Sequence, residues 1–258
     1  MGCGSGRSPF WATLFALQGD YMVAKLKPAL LMHAAILLLA VTAMAAPCTL
    51  PCVQAVTGSV TSGTLTISLS STAGHALVVL CSSGGGCGPN DGVNTYTTDY
   101  FANPDVPFWL GHVTNIPGGP LTISFGSAGA TAAIVVEYQQ LPASSALDAK
   151  AGVTYGGGIN FPSVTTTNAS DLIVGAVAVP YVSETFTAGA GYVMDAQISF
   201  SSNASLAIEH TTVSSTGNYQ PTMTESTGYV AETATLAFIM LPPPSSGCTM
   251  TLMGTGPC

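Results

Sequence analysis

From residue 64 to residue 242 the chain is a succession of short apolar or alternating runs separated by Gly, Pro, Asn and Ser, with almost no helical periodicity. In 64–70 (TLTISLS) Leu65, Ile67 and Leu69 fall on one face and Thr64, Thr66, Ser68 and Ser70 on the other. That alternation describes a strand with one wet side, kept soluble by hydroxyl groups. Further strands are predicted at 75–81, 94–100, 107–113, 121–125 and 131–139 and, after a break, at 171–179, 191–200, 205–212 and 232–241. Strands at this spacing predict an all-β fold, an antiparallel double-sheet sandwich.

The pattern also repeats. Residues 74–79 (GHALVV) lie over 170–175 (SDLIVG), Trp109 to His112 over Ala207 to His210, and Leu141-Pro142 over Leu241-Pro242, at offsets of 96, 98 and 100. We read two related units, about 70–142 and 166–242, joined by the Ala/Ser/Gly-rich stretch 143–160. Two separate sandwiches of five or six strands would each expose their edges, so a single sandwich with jelly-roll character is expected for 64–242. Residues 46–63 read as a Cys-bearing N-terminal arm. Residues 243–258 read as a Pro-rich spacer followed by a Cys-bearing tail.

Charge narrows the function classes. Arg7, Lys25 and Lys27 precede an apolar run at 29–43 and the small residues around Ala45, so residues 1–45 read as an N-terminal extension and cleaved signal peptide. An uncleaved anchor is the other reading, but the run is shorter than the ~20 residues that span a bilayer. Beyond it the chain carries eleven of its twelve acids and one cation, Lys150. Such a portion cannot neutralise a row of phosphates, which excludes nucleic acid and anionic membrane surfaces as partners. Six cysteines remain after the leader, Cys48, Cys52, Cys81, Cys87, Cys248 and Cys258, an even number as an oxidising compartment requires. Local bridges are the simplest pairing, with 48, 52, 248 and 258 also able to tie the two tails together. No Cys-x-x-Cys or matching His spacing supports a zinc site.

The strand preceded by Asp91-Gly92-Val93-Asn94-Thr95-Tyr96, the Trp-bearing strand near Trp109 and the strand ending Val136-Glu137-Tyr138 resemble a group of uncharacterised secreted β-sandwich proteins of environmental bacteria. The resemblance covers most of 64–242 and rests on turn-like motifs, Asp-x-x-Asn-Thr-Tyr and Glu-Tyr. It implies the sandwich fold and an extracellular location. Two glycosylation sequons, at Asn168 and Asn203, would matter only in a eukaryotic source, which the resemblance argues against.

Candidate chemistry is confined to few residues. No Gly-x-Ser-x-Gly elbow marks a serine nucleophile. Glycosidic cleavage needs two facing carboxyls, and Glu137, set in an apolar strand, is the catalytic candidate, with Glu209, Glu225 and Glu232 as further acids. The alternative for Glu137 is a strand-end residue bonded to a neighbouring turn, such as that at 94–96. Calcium is the cofactor this composition could bind, with Asp91 and Asn94 offering oxygen ligands at alternate positions. The other reading of that stretch is a polar turn bonding its own backbone. His112 and His210 occupy matching places in the two units, as a ligand pair or as equivalent positions of a duplicated strand. Tyr96, Trp109 and Tyr138 are the aromatic candidates for ligand binding, against the alternative that they pack in the core.

The expectation is a secreted, non-catalytic module acting in extracellular or cell-surface binding, adhesion or structure, with a neutral glycan as partner. Alternatives are a polysaccharide-active hydrolase using Glu137 with a second carboxylate, and a subunit that self-associates through strand edges.

Overall fold

The computed structural model describes residues 45–46, 48–102, 108–126 and 129–243; the leader, Cys248, Cys258 and the tail that carries them lie outside the described residues. The described chain is all β. Twelve strands of six residues or more carry the fold: β1 (Cys52–Val60), β2 (Leu65–Ser71), β3 (Ala76–Ser83), β4 (Thr97–Ala102), β5 (Phe108–Val113), β6 (Gly119–Phe125), β7 (Thr131–Tyr138), β8 (Leu147–Gly157), β9 (Asp171–Pro180), β10 (Val193–Ile198), β11 (Ala204–Val213) and β12 (Val230–Ile239). One antiparallel sheet runs β1–β7–β3–β5–β4, with the two-residue strand Ala45–Ala46 beyond β1, and a second runs β8–β12–β9–β11–β10.

The two orders are one order written twice. Val78 lies opposite His112 and Val136, and Val174 lies opposite His210 and Leu236, so the offsets of 96, 98 and 100 are those of the strand ladders. Even the irregularities are duplicated: a bulge at Asp99 in β4 matches one at Asp195 in β10. The repeat is longer than the sequence pattern indicates. The expected N-terminal arm contains β1, and the expected linker contains β8. Both are outer strands of weak alternation, which is why neither stands out by hydrophobicity.

The central strands β3, β7, β9 and most of β12 are buried along both faces. Ala76, Val78 and Leu80 face Leu172, Val174, Ala176 and Leu236 across a common core between the sheets. The alternate residues Leu77, Val79 and Val135 face away, onto Ile67, Leu69, Ile123 and Phe125 of a smaller sheet made by β2, β6 and Pro89–Asn90. The far side of the second sheet is covered instead by Phe161, Phe186 and Met223 from loops bearing two-stranded ribbons. The molecule is therefore a sandwich with a cover on each outer face. The chain passes from central sheet to cover and back within the first unit, which gives that unit jelly-roll character.

Polar groups inside the common core come in duplicated pairs. The bulges turn Asp99 and Asp195 inward, where they meet His112 Nδ1 at 2.5 Å and His210 Nδ1 at 2.6 Å. An inserted residue at a bulge redirects a side chain in this way. Each histidine then packs edge-on against an aromatic of the opposite sheet, His112 on Phe238 at 5.1 Å and His210 on Tyr138 at 5.8 Å. The pairs differ in their third member. Lys150 Nζ stands 3.7 Å from Asp99, whereas the Tyr138 hydroxyl donates to Asp195.

Removing that hydroxyl leaves a buried carboxylate one donor short, and the repeat already places Phe at the equivalent position. Tyr138→Phe is expected to fold normally and lose about 1–3 kcal/mol in urea unfolding. Tyr219→Phe, at a surface hydroxyl bonded to Ser215, should cost less than about 0.5 kcal/mol.

Candidate functional site

A concavity of ligand size lies where the two units meet, at the end of the sandwich where the first unit leads into the second. Leu50 and Pro51 enter β1, Gln140 follows β7, Ser170 precedes β9, Thr212 to Ser214 end β11, and Met240 to Pro243 leave β12. Together they line an open groove of about 460 Å³. Backbone hydrogen bonds fix its walls: Leu241 N–H donates to Gln140 C=O at 2.7 Å, Met240 N–H to Ser170 C=O at 2.9 Å, and Gln139 N–H to Pro51 C=O at 3.1 Å. Gln140 makes its turn in the left-handed region, at φ 66°. No charged side chain lines the groove. Its floor and rim are apolar groups, with Leu50 and Leu241 exposed to solvent, interleaved with the hydroxyls of Ser170 and Thr212 and the Gln140 amide.

The residues singled out from the sequence lie elsewhere. Tyr138 is fully buried in the common core, Trp109 is buried under the small sheet with its indole N–H on the Thr98 hydroxyl, and Tyr96 is half-buried. Tyr138 and Trp109 are therefore packing residues, the alternative reading for them, while Tyr96 is partly exposed and its hydroxyl donates to Asp91. The most exposed aromatic side chains among the described residues are Phe101, Tyr181 and Tyr229.

Asp91 and Asn94 form a polar turn, the other reading of that stretch. The Asp91 carboxylate accepts the N–H groups of Val93 and Asn94, the Asn94 amide and the Tyr96 hydroxyl. Burial works against its ionisation, but the four donors outweigh burial and hold its carboxyl below the usual range. The motif Asp-x-x-Asn-Thr-Tyr is a turn clasp whose oxygens are occupied.

Glu137 is fully buried. It bonds to a turn, as one reading expected, but the turn is 72–75 rather than 94–96: Thr72 N–H reaches it at 2.9 Å, His75 Nδ1 at 2.7 Å, and the Gln54 amide takes the other oxygen. No second acid faces it across a cleft in these contacts. Glu209 similarly receives Gly189 N–H at 2.7 Å and Met223 N–H at 3.2 Å, and Glu184 receives Ser226 and Thr227. Glu137, Glu184 and Glu209 act as internal clamps on loops.

Cysteine chemistry is equally committed. Cys48 pairs with Cys52 and Cys81 with Cys87 in disulfides. The Cys48 and Cys52 sulfurs and an Asp195 oxygen lie within 4.8 Å of one another, the geometry of a metal cluster. The disulfide removes both thiolates, however, and Asp195 is held by Tyr138 and His210.

One acid pair stands apart. Asp148 accepts Thr167 N–H at 2.6 Å and the Asn168 amide at 2.9 Å, and Asp171, fully buried, lies against it. Burial first, and then the Asp148 charge, push the Asp171 carboxyl up to about 6. Neither acid was singled out in the sequence.

No protein-family model matches the chain, and neither a curated protein nor a solved structure does.

The Asp171 shift has a pH signature. Its value rises on folding from an ordinary ~3.9, so the stabilisation from its proton is complete below about pH 4 and lost as pH climbs through about 6. In buffer free of divalent cations, Asp171→Asn should remove this slope. Between pH 4 and pH 7 the wild type should lose about 1–3 kcal/mol relative to that variant in urea titrations.

Proposed function

We propose that this protein is a secreted, non-catalytic binding module that takes a neutral, hydroxyl-rich ligand of the glycan type in the groove between its units. The observation that carries the reading is a groove of about 460 Å³, within the range of ligand sites, without a charged side chain in its lining. Alternating apolar and hydroxyl or amide groups suit a sugar, which offers C–H faces and hydroxyl edges together. The scarcity of cations points the same way, since Lys150, the one Lys or Arg after the leader, lies on Asp99. Two disulfides suit an extracellular protein, and among the described residues no helix is long and apolar enough to cross a membrane.

The alternatives have less support. Hydrolysis through Glu137 would need an acid able to exchange protons with substrate, and its oxygens are taken up by the turn it clamps. Self-association through strand edges would use β4, β8 or β10, edge strands of the two sheets, and each is interrupted by a bulge. Bulged edges are poor templates for pairing.

A glycan array with the mature chain tests the proposal. Retention on neutral polysaccharide is expected, falling at least about tenfold for Ser170→Trp, which fills the groove at an exposed position, and unchanged for Tyr96→Phe. Release of reducing sugar by the wild type, or full retention by Ser170→Trp, would count against the reading.

A further inference from the structure

Each unit leads into a central strand, β3 or β9, through a turn clamped by an acid, and the two clamps differ in charge. In the first, the acid is Glu137, and the residue facing it is His75, at 2.7 Å. The ladder register puts Asp171 where the first unit has His75, because each stands immediately before the residue, Ala76 or Leu172, that lies opposite Tyr138 or Phe238. The same offset matches Asn168 to Thr72, and both turns give N–H groups to the clamping acid. In the second unit that acid comes from β8, as Asp148, and it faces a second carboxyl instead of an imidazole.

Asp171 is fully buried, and its oxygens receive no hydrogen bond from an N–H or alcohol donor among the described residues; their polar neighbour is the Asp148 carboxyl, to which a protonated Asp171 donates. The one Lys of the described chain lies on Asp99. A buried carboxylate without a donor, in contact with another carboxylate, calls for a positive charge that the chain does not itself supply.

We propose that Asp148 and Asp171 hold a hard divalent cation of the calcium class, which closes the turn 166–171 as His75 closes its counterpart. The donor set is oxygen only, which selects calcium over zinc or copper. The two Asp171 oxygens are the ligand atoms left without donors, while the Asp148 oxygens already accept the N–H groups and side chains of Thr167 and Asn168; Asp148 adds its charge beside them, and its partial exposure leaves room for water to complete the shell. A site with two carboxylates and several waters belongs to the weak range of extracellular modules, Kd about 10⁻⁴–10⁻³ M. The turn at Asp91 differs in having no buried carboxyl left without donors beside it.

The test uses the full mature chain, stripped with chelator and then titrated with calcium chloride. Calorimetry should show binding in that range, and 10 mM calcium should raise Tm by about 3–10 °C. Asp171→Asn should abolish both, and Asp91→Asn should leave both intact. Asp171→His, which rebuilds the pair of the first unit, should fold, as circular dichroism would show, and should be indifferent to calcium. Absence of heat together with an unchanged Tm in the wild type would overturn the proposal. So would a calcium response that survives in Asp171→Asn or Asp171→His.

Discussion

Face-to-face packing of the two large sheets governs the remainder of the structure, because the central strands that make it are apolar on both faces. Val78 and Val174 reach the common core, while their neighbours Val79 and Ile173 point outward. At roughly 1.5–3 kcal/mol for each large apolar side chain withdrawn from water, leaving the outward set exposed would undo much of what the inward set contributes. Each sheet therefore needs a second cover. The first unit makes one from β2 and β6; the second uses long loops anchored by Phe161, Phe186 and Met223. Loops carry more unpaired backbone than strands do, and this difference in cover is why the second unit needs more clamps.

Those clamps follow from the charge balance. With eleven acids and one cation after the leader, a buried carboxylate cannot in general be met by Lys or Arg. It is met by N–H and O–H donors from turns, as at Asp91, Glu137, Glu184 and Glu209. Hydrogen bonds to an ionised acceptor are stronger than neutral ones, so a poverty of cations becomes a way of fixing loops on a rigid sandwich. Duplication then let the copies diverge at matching positions. The Asp–His pair is kept in both, while its third member became Lys150 in one and Tyr138 in the other.

The inner strands were legible in the sequence because their burial is recorded in the residues themselves: IVV in β7 and LIV in β9 admit few environments. The repeat was legible for the same reason, and extending its offset of 96 would have matched Asp99 with Asp195 and exposed the duplicated Asp–His pairs. Strands β1 and β8 were not legible. CVQAVTGSV and LDAKAGVTYGG carry no strong alternation, since an outer strand partly exposed on one side tolerates polar and small residues. Trp109 and Tyr138, taken as ligand candidates, turn out buried because of a general ambiguity. Tyr96, Trp109 and Tyr138 have the same local pattern whether they face solvent or core, and only the register places Tyr138 against His210. The groove had no local signal at all, being assembled from five segments that come together only when the units pack.

Groove and acid pair are also neighbours along one short segment, which bears on how binding and folding are linked. Ser170 lines the groove and accepts Met240 N–H; Asp171 follows it and lies against Asp148. The turn just before both is held to β8 by Thr167 and Asn168. If two like charges meet there without a cation, the cheapest relief is for the turn to draw Asp171 toward solvent, and Ser170 must move with it. The wall formed by Ser170 and Met240 would then lose its fixed spacing. A cation at Asp148 and Asp171 would hold that wall from behind while touching nothing in the groove. Ligand and cation would in that case favour the same closed arrangement of residues 167–171, and each would strengthen the other's binding by the same factor.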